Sequence, residues 1–174
     1  MADYFEVLGV QRKYHFSDGE LEKRFLALSK EWHPDRFAKA EPRERLMAVQ
    51  KTTAINDAYR TLKDKLKRAE YLLKLEGLDV ADEKGSIKPE PHLLAEAMER
   101  GEAIAEARAA NDRAALDELR ERILHDGGHS REFIDTQFKR WEAGERDVLP
   151  RIAQALIALR FDARLLEQLE GNEA

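Results

Sequence analysis

The chain has 174 residues, 43% of them hydrophobic and 37% charged, with a net charge of −5, nine Gly, five Pro and no Cys. The charged fraction is well above the usual quarter and points to long solvated helices, while the low Gly and Pro content argues against a turn-rich β protein and a disordered chain. Without Cys there is no disulfide, thiol nucleophile, thiolate zinc site or direct thiolate hold on an iron–sulfur cluster. The charge is unevenly divided. Residues 1–75 carry 16 Lys and Arg against 12 Asp and Glu, and the remainder 14 against 23. A basic first half can meet an acidic partner, and an acidic second half is a poor binder of nucleic acid.

In chain order, Asp3–Leu8 reads as a short helix closed by Gly9. Ser17 and Glu20 have the spacing of a capping box. Leu21, Phe25, Leu28 and Trp32 then mark one apolar helix face, with Arg24 and Lys30 on other faces. That helix must end near Trp32 or His33, because Pro34 disfavours helical geometry at the residue before it. Pro42 opens a second long helix, in which Leu46, Val49, Thr53, Asn56, Tyr59 and Leu62 step along one predicted stripe. Leu66, Ala69, Leu72 and Leu73 predict a fourth helix, ended by Gly77. Residues 76–91, with Gly85, Ser86, Pro89 and Pro91, read as a linker.

The second half reads as three helices in an antiparallel bundle. The first runs from Leu93 to about Ala110. The second is capped by Asp112 and reaches Trp141, either as one kinked helix or as two, because Gly127-Gly128 interrupts it. The last runs from about Asp147 to Leu169, with Pro150 in its first turn. The acidic start is unlike a secretory signal, and no apolar run approaches 18 residues, so a protein of the cytoplasm without a membrane partner is expected.

His33-Pro34-Asp35 is the informative motif. It lies between two amphipathic helices, preceded by Lys30-Glu31-Trp32 and followed by Arg36-Phe37. Pro34 stiffens the loop, so Asp35 has little entropy to lose on docking, and its carboxylate can meet a partner's arginine. The plain reading is a histidine at a helix end and an aspartate in a turn. Together with Tyr4, Leu8, Gly9 and Asn56–Leu62, the motif resembles the J-domain of DnaJ-type co-chaperones over residues 1–75. Asp3-Tyr4-Phe5, Thr53–Asn56 and Arg68–Leu73 extend the resemblance to the HscB family, the J-type co-chaperones of iron–sulfur cluster assembly, over nearly the whole chain.

The resemblance implies an L-shaped, all-helical protein, with a J-domain over 1–75, a linker over 76–91 and a three-helix bundle over 92–174. It implies two partners, an HscA-type (DnaK-like) chaperone and an IscU-type iron–sulfur scaffold, with stimulation of the chaperone's ATPase. His33, Pro34, Asp35, Arg24, Lys30 and Arg36 match the chaperone-binding positions. Leu94, Met98, Glu99 and Glu102 on the bundle's first helix, with Phe161 on its last, match the scaffold patch. Neither a cofactor nor enzymatic chemistry is implied. Two other readings share these features: a J-domain adaptor for a different client, and a helical interaction module without a chaperone. His125 and His129 are four apart and would share a face on a continuous helix. Gly127-Gly128 lies between them and no HExxH pattern is present, so no metal site is expected.

Overall fold

A computed structural model describes residues 2–17, 19–80 and 87–171. Among the described residues there are seven α-helices, one 3₁₀ turn and no strand. The chain divides into two compact units, Met1–Leu72 and Leu73–Ala174.

The first unit opens with α1, Tyr4–Leu8. Asp3 and Glu6 form a reciprocal capping box, the Glu6 amide donating to Asp3 at 2.9 Å and the Asp3 amide to Glu6 at 3.0 Å. Burial raises the Asp3 carboxyl, but the Glu6 amide and Arg12, 2.6 Å away, outweigh it and hold its pKa below the ordinary value. Gly9 ends α1 in the left-handed region at φ 63°. A Cβ there would collide with the Arg24 guanidinium, whose Nε donates to the Leu8 carbonyl at 3.1 Å. Arg24 thus caps the C-terminus of α1, where a cation is favoured.

Helices α2 (Glu20–Glu31) and α3 (Pro42–Lys63) pack against each other. Phe25 stacks on Tyr59 with ring centroids 4.0 Å apart. The start of α2 departs from the expected box. Glu20 does reach back to Ser17, but the Ser17 hydroxyl donates to the Glu20 carboxylate at 2.9 Å instead of capping an amide. Gly19, at φ 74°, is the N-cap, and the Glu20 amide bonds the Ser17 carbonyl. The predicted α3 stripe is also corrected. The buried line is Ala48, Ile55, Ala58 and Leu62, while Leu46 is 59% and Val49 50% exposed. Ala48 is the one buried residue in the first half of α3, and the larger Leu46, Met47 and Val49 beside it are exposed.

Arg68, on α4 (Lys65–Leu75), is buried. It donates to the carbonyls of Leu62 at 2.5 Å and Lys63 at 3.3 Å, and to that of Tyr14. Its guanidinium also lies 5.0 Å from the Phe16 ring centroid. The end of α3, the start of α4 and the segment before α2 therefore meet on one cation. Tyr71, on the same helix, accepts the Tyr4 amide at 2.9 Å and stacks on the Tyr4 ring at 4.5 Å.

The second unit contains α5 (Pro91–Ala109), α6 (Arg113–Glu142) and α7 (Leu149–Glu170), each packed on the other two. Ile104, Ile123, Leu165 and Leu169 form one core cluster across the three helices. Of the expected linker, residues 81–86 lie outside the described residues. Its later part is held on α7: the Gln154 amide group donates to the Lys88 carbonyl and accepts the Glu90 amide, both at 2.9 Å.

Gly127-Gly128 does not break α6, which runs unbroken for 30 residues. Gly127 is buried against α7, and a Cβ there would lie 3.5 Å from Leu159 and 3.6 Å from Asp162. Both are ordinary contact distances, and the nearest atom, Arg131 Nη1 at 3.2 Å, is the end of a flexible side chain. Beside Gly127, Arg100 joins all three helices. It meets Glu96 at 2.5 Å on α5, Asp126 at 2.6 Å on α6 and Asp162 at 3.2 Å on α7. Burial pushes the Asp162 carboxyl above the ordinary carboxylate range, and Arg100 opposes that shift.

Two outcomes follow for stability. Arg68→Met should lower the unfolding free energy in urea by about 2–4 kcal/mol, because several carbonyls lose a charged donor together. Arg68→Lys should recover little of it, since an ammonium cannot span the same carbonyls. A Cβ at Gly128 would meet no atom within 4 Å. Gly128→Ala should therefore raise the urea midpoint, with a gain of about 0.5–1 kcal/mol.

Candidate functional site

His33-Pro34-Asp35 opens a 3₁₀ turn, Pro34–Phe37, between α2 and α3. His33 has φ −59° and ψ 129°, the extended geometry that a following proline favours. Its Nδ1 accepts the Asp35 amide at 3.3 Å, and the Arg36 amide bonds the His33 carbonyl at 3.0 Å. The motif thus organises its own backbone. The Asp35 side chain is 91% exposed, its Oδ2 3.6 Å from His33 Nδ1.

Both flanks are tied to the hairpin. Trp32 and Phe37 stack nearly parallel across the turn, at 5.8 Å and 3°. The Thr52 hydroxyl on α3 donates to the Trp32 carbonyl at 2.9 Å, and Lys51 Nζ lies 5.7 Å from the Trp32 ring centroid. Thr52 and Lys51 were not singled out from the sequence, and no motif marks them. Only their place one seam away from Trp32 on α3 carries a signal.

The expected basic residues divide. Arg36 lies in the turn, and its guanidinium donates to the Lys30 carbonyl at 3.3 Å, bringing the turn and the last turn of α2 together. Lys30 is exposed there. Arg24 is placed elsewhere, with its guanidinium over the end of α1. The arrangement is a carboxylate held outward on a stiff turn, with cations beside it. It can dock on a cationic partner, with the turn already shaped.

In the second unit, α5 presents two faces. Leu93, Ala97 and Arg100 are half-buried, and Ile104 and Ala107 are buried. Leu94 is 46% and Met98 60% exposed, and Glu99 and Glu102 are exposed with them. Leu94, Met98 and Glu102 follow at intervals of four and form one outward line. Phe161, half-buried on α7, is not on that line. It lines the groove of Leu93, Ala97, Arg100 and Ala158, on the neighbouring side of α5. Nothing in the sequence marks the Arg100 cluster under this groove, because apolar periodicity does not say which arginine turns inward.

Comparison with known proteins agrees with both halves. The DnaJ domain family matches residues 3–71, and the family described as HSCB C-terminal oligomerisation domain matches residues 89–170. A co-chaperone protein HscB homolog from Aeromonas salmonicida (strain A449) is 34% identical over 172 residues, covering 98% of this chain and 96% of that protein. One from Vibrio cholerae serotype O1 (strain M66-2) is 44% identical over 110 residues, 63% of this chain and 64% of that protein, which is less than two thirds of its length. Among solved structures, chaperone HscB from Vibrio cholerae aligns with a TM-score of 0.72 and 35% identity, covering 97% of this chain and 96% of that one. The human co-chaperone protein HscB aligns with a TM-score of 0.75 and 27% identity, covering 98% and 81%. No helix among the described residues is long and apolar enough to cross a membrane. A J-type first unit, a matching C-terminal bundle and a relative aligned almost end to end lead to one conclusion: the chain belongs to the HscB co-chaperone family.

Proposed function

We propose that this protein binds an IscU-type iron–sulfur scaffold, presents it to an HscA-type, DnaK-like chaperone and stimulates that chaperone's ATPase, so promoting cluster transfer. The J-type residues 1–75 engage the chaperone, and residues 92–174 hold the scaffold. The observation that carries the reading is the outward Asp35 carboxylate on a turn fixed by Pro34, by the His33–Asp35 bond and by the Trp32–Phe37 stack. The carboxylate meets an arginine of the chaperone in charge-assisted hydrogen bonds. Lys30 and Arg36 steer and orient the encounter, and Arg24 contributes charge from beside α1. ATP hydrolysis takes place on the chaperone, and this chain supplies binding only.

The scaffold contact is the line of Leu94, Met98 and Glu102 with Glu99, and Phe161 contributes from the adjacent groove. Two apolar side chains left in water, edged by carboxylates, suit a modest and reversible protein contact. Met98 adapts its shape to the partner. The acidic balance of this half and the absence of Cys fit a protein-binding role in the cytoplasm.

The test is the steady-state ATPase of the cognate chaperone with this protein, with the scaffold, and with both. Synergy is expected. Asp35→Asn should return the rate to that of the chaperone without co-chaperone, while scaffold binding and helicity are kept. Full stimulation by that variant would remove Asp35 from its assigned role. Stimulation of the wild type that ignores the scaffold would keep the chaperone contact and discard the client.

The second outcome concerns the α5 line. Leu94→Ala with Met98→Ala should weaken scaffold binding by about 1–2 kcal/mol, roughly 5- to 30-fold in Kd by calorimetric titration. Stability should change by less than about 0.5 kcal/mol, because both side chains are exposed. Unchanged affinity would place the scaffold contact on another face.

A further inference from the structure

The unbroken course of α6 brings together two residues that Gly127-Gly128 was expected to separate. His125 and His129 stand one helical turn apart, and their Nε2 atoms are 3.3 Å apart. Their rings meet edge to face with centroids at 4.4 Å, and both residues are exposed. Two nitrogens bound to one tetrahedral Zn²⁺ at its usual bond length stand roughly 3.3–3.4 Å apart. The separation matches that of two ligands on one ion, and the same contact serves as a hydrogen bond between the two rings.

We propose that His125 and His129 form a surface clamp for a first-row divalent ion that prefers imidazole nitrogen, of the Zn²⁺ or Ni²⁺ type. Hard ions such as Ca²⁺ and Mg²⁺ want oxygen ligands and are not its class. The surroundings support the clamp in three ways. Asp126 Oδ1 is 3.5 Å from His125 Nδ1, the position of a carboxylate that orients a ligating imidazole. The other oxygen of Asp126 is held by Arg100 at 2.6 Å, so this carboxylate is fixed from below. Gly128, three residues after His125, has no side chain, and a Cβ there would meet nothing within 4 Å. Water can fill the remaining positions of the ion there.

The charge around the pair is favourable. Glu121 and Glu132 stand one turn before His125 and one turn after His129 on the helix. Of the nearby cations, Arg122 is paired with Glu118 at 3.5 Å and Arg100 with Asp126, and Arg131 reaches back over Gly127, toward Asp162. No group of three or more His, Asp or Glu among the described residues is placed to hold a metal. The clamp is therefore a two-ligand, open site, separate from the Asp35 turn and from the Leu94–Met98 line.

The test uses the full-length protein without a histidine tag, titrated with nickel sulfate or zinc chloride alone. Calorimetry should show one ion per chain. In NMR spectra, nickel should broaden the ring protons of His125 and His129 before those of His15, His33 and His92. His125→Ala and His129→Ala should each weaken binding by at least about tenfold, no less than the loss of an outer-sphere partner. His92→Ala should not change it. Equal binding by the His129→Ala variant, first broadening at another histidine, or no binding at millimolar metal would each overturn the proposal.

Discussion

The Arg68 guanidinium sits beneath the first unit among main-chain carbonyls, and the placement of its helices depends on that position. Leu62 and Lys63 offer carbonyls from the last turn of α3, where the helix dipole favours a cation, and Tyr14 offers one from the segment before α2. A buried charge needs such partners, so these carbonyls must converge wherever the cation goes. The second unit uses Arg100 in a related way, with carboxylates from three helices in place of carbonyls. In a chain where more than a third of the residues are charged, packing specificity rests partly on which cations turn inward. Apolar area sets how strongly the helices associate, and these two arginines help to set where.

The Asp35 turn inherits its stiffness from the same hairpin. Pro34 holds one side of it, but the other side depends on Trp32, Phe37 and Thr52, which belong to the packed helices and the join between them. The exposed carboxylate is thus coupled to the α2–α3 seam. The α5 surface is built differently. Its outward line is simply what remains when Ile104 and Ala107 face the core and Arg100 faces the groove. One contact surface is shaped by a turn, the other by the phase of a helix.

Much of this was legible in the sequence. Asp3 and Gly9 bracket α1, Pro42 opens α3, Pro150 lies in the first turn of α7 and Pro34 separates α2 from α3, whereas Pro91, read as the end of a linker, is the first residue of α5. Those signals are local, and local geometry obeys them. The failures came where a neighbour decides. Ala48 and Ile55, not Leu46 and Val49, face the α3 seam, because the phase at which α3 meets α1 and α2, not the size of a side chain, decides which residues turn inward. Gly127-Gly128 looks like a break in isolation, yet α6 continues through both residues with Gly127 buried against its neighbours. Ser17 loses its capping role because Gly19 takes a left-handed backbone. At the candidate site, the tripeptide stands out between its two helices, whereas Leu94 and Met98 are marked by the family resemblance, since their spacing of four fits a core face as well as an exposed one. Phe161 matches by resemblance alone, and a one-dimensional pattern does not give the angle between two helices that sets it in the groove beside Leu93 and Ala97.

The Tyr4–Tyr71 contact also sets an order of events during synthesis. The five residues of α1 are made first, yet the hydroxyl that receives the Tyr4 amide is 67 residues further along the chain. At ordinary ribosomal speeds that distance takes about 3–13 s to translate. During this interval Phe5 and Leu8, both buried in the finished fold, lack part of their cover. A helix of five residues does not persist by itself in water. The amino-terminal segment can pack on α2 and α3 as these emerge, and the Tyr4–Tyr71 contact closes only once α4 has followed.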